Sequence, residues 1–148
     1  MPRVVVPAAL AVLALAGLGV AAYLTTVHYA HVPLVCSTTG LVDCDNVLHS
    51  TYSVIPGTQV PITVPGMLWF LVSGGLALLA LRTGEPVWLP AVHALWTVVG
   101  VITVVYLVYA ELVAIHHICV WCTSVHLLIV ISFVLALVRW QRAALANL

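Results

Sequence analysis

The chain contains no lysine, and its four arginines face only four acids across 148 residues. Soluble domains of this length carry charge on roughly a quarter of their residues; here the share is 5%. So few charges cannot clothe a water-facing surface, which leaves lipid as the solvent for most of the molecule. Zero net charge and the lack of any basic stretch exclude nucleic acid as a partner. No internal repeat or low-complexity tract is present, and the chain reads as one domain over residues 1–148. What remains is overwhelmingly apolar: 64% hydrophobic residues and a mean hydropathy of +1.24.

The apolar residues fall into four runs, at about residues 4–27, 62–81, 88–111 and 117–138. Each reaches the roughly 20 residues that carry a helix across a bilayer. Arg3 precedes the first run as it would a signal peptide, but the run is longer than the usual h-region, so we read it as a span. Pro65 and Pro90 fall near span starts, where a missing N–H does no harm. Short connections between antiparallel neighbours predict an all-α integral membrane fold, an up-down four-helix bundle. Arg3, Arg82, Arg139 and Arg142 all lie on one side of that topology. The positive-inside rule then places both termini in the cytoplasm, with a long loop over about residues 28–61 at the outer face of a cell inner or plasma membrane. Glu111–Ile118 becomes a short outer turn. Gly17, Gly19, Gly74 and Gly75 are expected where helices approach closely. Trp88, Trp121, Trp140, Tyr23, Tyr29 and Tyr109 fit the interfacial belt.

All four cysteines fall on the outer side of this topology, in the compartment where disulfides persist. Cys36 and Cys44 lie in the long loop; Cys119-Val-Trp-Cys122 opens the fourth span. Residues i and i+3 share a helix face, and a helix N-terminus favours the thiolate that performs disulfide exchange. In the loop, Asp43 or Asp45 can cap a short amphipathic helix over Asn46–Val54, which Pro56-Gly57 ends. Val47, Leu48 and Tyr52 would face the membrane surface, and Cys44 would sit at the helix N-terminus. Four cysteines allow three connectivities. A relay needs two resting pairs, Cys36–Cys44 and Cys119–Cys122, and a transient Cys44–Cys119 bridge. Two static disulfides stapling a non-catalytic scaffold are the plainer alternative. A zinc site is disfavoured, because the seven residues between Cys36 and Cys44 exceed the usual ligand spacing; no metal is expected. Covalent haem is excluded, since Thr123 rather than His follows Cys122.

C-x7-C in the first outer loop, CxxC at the head of the fourth span, Ser50 six residues after Cys44, and Pro65-Gly66 opening span two together resemble the vitamin K epoxide reductase family, over roughly residues 5–140. Among its members the prokaryotic ones look most similar. The resemblance implies a membrane thiol-disulfide oxidoreductase. In it Cys36 exchanges with a thioredoxin-like protein, Cys44 carries electrons inward, Cys119 receives them, and Cys122 faces a quinone of the ubiquinone or menaquinone type. The electron donor would be a separate secreted thioredoxin-like protein, and the activity would support disulfide-bond formation. Vertebrate members reduce vitamin K quinone and epoxide with the same cysteines, which is the alternative activity. Two departures count against it: His126 stands where those members have Tyr, and Ile62 or Thr63 where they have Asn.

His126 lies one turn beyond Cys122 on the same helix face, roughly 10 Å deeper than Cys119 at 1.5 Å per residue. An ionisable side chain at that depth is expected to be functional, here by bonding or protonating a quinone carbonyl. With Ser50, it completes the expected quinone-binding residues. Glu111, His116 and His117 could relay protons, but their predicted place at the interface favours plain solvation. His28, His31 and His49 gather at the outer end without ligand spacing, and His93, near the opposite end of span three, is expected to be structural.

Overall fold

The computed structural model describes residues 4–30, 32, 34–36, 39–83 and 86–146. Four long helices carry the fold: α1 (Val5–Ala30), α3 (Thr63–Thr83), α4 (Leu89–Tyr109) and α5 (Val120–Ala146). A short α2 (Cys44–Leu48) and one 3-10 turn (Thr51–Ser53) lie in the connection between α1 and α3. No strand occurs among the described residues, only isolated bridges. All four long helices have the length and hydropathy of membrane spans. The fold is an all-helical membrane bundle.

α1 packs most extensively on α3 and α4 on α5, with α1 also against α5, while the seam between α3 and α4 is much looser. The close approaches have local causes. At Gly17 in α1 a Cβ would overlap the Phe70 ring of α3, and at Gly74 it would press on Ala14. Gly19 and Gly75 face open space, so they do not share the packing role expected of them. Gly100 in α4, which the sequence reading passes over, does: a Cβ there would lie 2.7 Å from Trp69 and 2.9 Å from Ile129. Trp69 and Trp96 then tie α3 to α4 reciprocally. Each indole N–H donates to the other residue's backbone carbonyl, at 3.3 and 3.2 Å.

The third span runs further than its sequence suggests. α4 continues as a π-helix over Ala110–Ile115 and stops at His116, whose φ of 59° turns the chain left-handed. Glu111 is therefore inside the helix and 6% exposed, not in a solvated turn. A widened π-turn re-aims side chains relative to an α-helix, and such turns recur at functional sites.

The predicted loop helix is also shifted. It begins at Cys44, capped by Asp43, whose carboxylate accepts from the Asn46 N–H at 3.0 Å. It ends at Leu48 instead of continuing to Val54, because the chain re-forms as the 3-10 turn. It is amphipathic, with Val47 and Leu48 buried and Asp45 and Asn46 exposed. Its apolar face covers the end of the bundle, where Leu48 packs on Leu24 and Val27 of α1. Val47 and Leu48 thus do not face the membrane surface; Tyr52 is 41% exposed. His28 fixes the α2 end to α1, its Nδ1–H donating to the Leu48 carbonyl at 3.1 Å. The His28 ring also stacks on that of His49 at 5.7 Å.

Candidate active site

Two backbone hydrogen bonds decide where the cysteines meet. Val42 pairs in parallel with Ile118. The Ile118 N–H donates to the Leu41 carbonyl at 2.8 Å, and the Asp43 N–H to the Ile118 carbonyl at 3.2 Å. The next residues along the two strands of chain are Cys44 and Cys119. Both are fully buried and pack in one cluster with Val47. Cys36 and Cys44 form a disulfide with a Cα–Cα distance of 6.1 Å, while Cys119 and Cys122 are reduced. Cys36 is partly exposed, and exposed Val35 and Leu41 are close to it in sequence. Trp121, predicted to be interfacial, closes the arrangement. Its indole N–H donates to the Val35 carbonyl at 2.9 Å, and its ring lies 5.3 Å from that of Tyr23. His31, Ser37 and Thr38, which the sequence reading places in this loop, lie outside the described residues.

α5 begins at Val120, so Cys119 directly precedes it and Cys122 lies in its first turn. The Cys122 N–H donates to Cys119 Sγ at 3.2 Å. The Cys122 thiol, hydrogen-bonded to the same sulfur, holds the Cys119 thiol below its usual pKa; burial and the nearby Glu111 carboxylate act in the opposite direction. The inner pair is thus asymmetric, with the thiolate character on Cys119.

Beneath the cysteines lies an apolar cavity of about 350 Å³. Trp69, Trp96 and Gly100 form its wall along the loose α3–α4 seam, and Val47, Leu48 and Ser50 form its lid. Leu68 and Val99 line it and are 60% and 49% exposed, so the cavity reaches the lipid-facing side of the bundle. Cys122, His126 and Glu111 are its chemically active lining. His126 is 7% exposed and makes no side-chain hydrogen bond among the described residues. Ser50 is present, but its hydroxyl donates to the Val47 carbonyl at 2.9 Å and is partly occupied with holding the lid. No group of three potential metal ligands occurs among the described residues. Sequence reasoning missed Trp69, Trp96 and Gly100 as cavity walls, and assigned Glu111 to solvent. Its one usable signal for Glu111 was an acid directly following an apolar run.

Far from this site, toward the α3–α4 connection, His93 is 0% exposed. Arg139 donates from Nη1 to His93 Nδ1 at 3.1 Å, which leaves Nε2 as the protonated nitrogen, donating to Ser73 Oγ at 3.0 Å. Arg139 is buried in this polar cluster, although the sequence assigns it to the cytoplasmic margin.

The fold and site together define a polytopic membrane protein with two cysteine pairs meeting at one end, above a cavity open to lipid. The model of the vitamin K epoxide reductase family matches residues 8–137, most of the chain, and the protein belongs to that family. It is a membrane oxidoreductase. No curated protein matches the chain.

Proposed function

We propose that the protein is a thiol:quinone oxidoreductase that oxidises a separate secreted thioredoxin-like protein and thereby supports disulfide-bond formation. The observation that carries this is the ordered placement of the cysteines: Cys36 toward the surface, Cys44 and Cys119 buried together, Cys122 on the cavity wall. In this reading a partner thiolate attacks Cys36, opening the Cys36–Cys44 disulfide and freeing the Cys44 thiolate. Cys44 attacks Cys119 of an oxidised inner pair, so the Cys44–Cys119 bond forms as Cys119–Cys122 breaks. The partner's second thiol then resolves its bond to Cys36. Cys36 in turn attacks Cys44 and expels Cys119, whose depressed pKa makes it the better leaving group. The observed pairing, outer disulfide and inner dithiol, corresponds to the point at which the electron pair has moved inward.

A quinone of the ubiquinone or menaquinone type supplies the final two-electron, two-proton acceptor, and the cavity suits a flat apolar ring arriving from lipid. Trp69 and Trp96 give it flat aromatic walls. His126, with no other hydrogen bond to make, offers a donor to a carbonyl beside Cys122, and Ser50 retains acceptor capacity at the lid. The arginine distribution supports cytoplasmic termini and an outward redox end.

Purified protein given the reduced partner and a quinone should reduce the quinone, and Cys122→Ala should abolish this. Cys36→Ala should remove turnover driven by the protein partner while sparing turnover driven by a small dithiol. Unchanged activity in both variants would show that the cysteines are only staples.

A further inference from the structure

Reduction of a quinone by a dithiol moves two protons as well as two electrons. The S–H protons of Cys119 and Cys122 must leave as the S–S bond forms, and the two quinone oxygens must each gain one. Cys122 lines an apolar cavity and Cys119 is fully buried, so few ionisable groups are at hand to carry these protons. Glu111 is the one carboxylate among the residues lining that cavity. Three features make it more than a stray acid. The π-helix Ala110–Ile115 widens the end of α4 at this residue and turns its side chain inward. The backbone N–H of Cys119 lies close enough to its carboxylate to favour the charged form. The segment leading into the CxxC also folds back on it, with the His117 N–H donating to the Glu111 carbonyl at 3.1 Å and the His116 N–H to the same oxygen. The carboxylate is near enough for its charge to act on both Cys119 and Cys122. Two neighbouring buried anions repel strongly, so a Cys119 thiolate and a Glu111 carboxylate tend to hold one proton between them.

Building on the thiol:quinone reading, we infer that Glu111 is the proton carrier between the inner cysteines and the quinone. It takes the proton that Cys119 gives up and releases it to a quinone oxygen in the same cavity. The balance closes without another reagent: two S–H bonds become one S–S bond, the quinone gains two electrons and two protons, and Glu111 ends as it began.

A structural role beside the Cys119 N–H would survive replacement by glutamine, whose side-chain oxygen is also an acceptor; proton carriage would not. Glu111→Gln should therefore lower quinone turnover by about 100-fold or more, while the Cys44–Cys119 mixed disulfide can still be trapped. A turnover within twofold of wild type would overturn the role. A second measurement uses wild-type protein in lipid without quinone, as a dithiol-reduced minus oxidised infrared difference spectrum. A carboxylic-acid C=O band that appears with inner-pair reduction, and shifts on 13C-glutamate labelling, is expected. The chain has only Glu85 and Glu111 to label, and Glu111→Gln should remove the band. A carboxyl region insensitive to redox state would also overturn the role. Failure of the underlying reading looks different, because then Cys122→Ala itself would leave turnover intact.

Discussion

Two buried histidines occupy the two halves of this bundle, and their surroundings are opposite. His93 has both ring nitrogens engaged, one by Arg139 and one by Ser73, so its tautomer and orientation are fixed by three helices. His126 is nearly as buried, 7% against 0% exposed, yet has no hydrogen-bonding side-chain partner among the described residues and lines the cavity beside Cys122. Its ring nitrogens, without a protein partner, stay accessible from the cavity instead of being sealed in protein. A fold tolerates that where a ligand completes the site, and sites of that kind are where strain and unmet bonding capacity gather. A satisfied histidine is part of the frame; an unsatisfied one facing a cavity is part of the chemistry.

Exchanging the two positions' fates is the sharpest way to break this comparison. His126→Ala should cut quinone turnover about 100-fold, while partner exchange at Cys36 continues. Its unfolding midpoint in detergent should shift by less than the equivalent of about 1 kcal/mol, because no intramolecular bond is lost. Wild-type turnover in this variant would end the distinction. His93→Ala should do the reverse, costing about 2 kcal/mol of stability as the buried Arg139 guanidinium loses an acceptor, with turnover of the folded fraction within twofold. Ser73→Ala, removing only the neutral end of the same chain of bonds, should cost about 1 kcal/mol. If Ser73→Ala costs as much as His93→Ala, the cluster is held by the hydroxyl and not by the guanidinium.

The same contrast marks what could be read from the residues alone. Span number and approximate position follow from length and hydropathy, so the four helices were legible, as was the CxxC at the head of the last one, although α5 runs on to Ala146 where the apolar run ends at about residue 138. What was not legible depends on backbone geometry. Nothing in Tyr109-Ala-Glu111 announces that α4 will widen into a π-helix, and so Glu111 reads as the end of a span instead of the wall of a cavity. The meeting of Cys44 and Cys119 rests on main-chain bonds at Leu41, Asp43 and Ile118, which any side chains could make. Arg139 looks like a topology signal because charge counts carry no depth; its partner, 46 residues away, becomes visible only in three dimensions. Gly100 sits in an apolar run like any small residue until Trp69 is seen against it.

The finest expected difference concerns protons at the redox end, which titrates in a range where the frame should not. In protein with the outer disulfide and a reduced inner side, the Cys119 thiolate is the nucleophile that can attack Cys44 and form the Cys44–Cys119 bridge. Because the Cys122 thiol holds the Cys119 pKa down, the thiolate persists below the ordinary thiol range, and bridge formation should fall only as pH drops through that lowered value. The stability linked to this group has the same sign: it is present above the unfolded thiol pKa and is lost as pH falls through the folded one. Cys122→Ser keeps a hydroxyl donor to Cys119 Sγ, whereas Cys122→Ala removes it, and neither can close the inner disulfide. Trapping the bridge by acid quench across pH should give a midpoint for Cys122→Ser about one pH unit below that for Cys122→Ala, the worth of one hydrogen bond to a charged sulfur. Coincident profiles would mean that the backbone N–H of residue 122 alone sets the reactivity of Cys119, and that the inner pair's asymmetry comes from the start of α5 and not from its second cysteine.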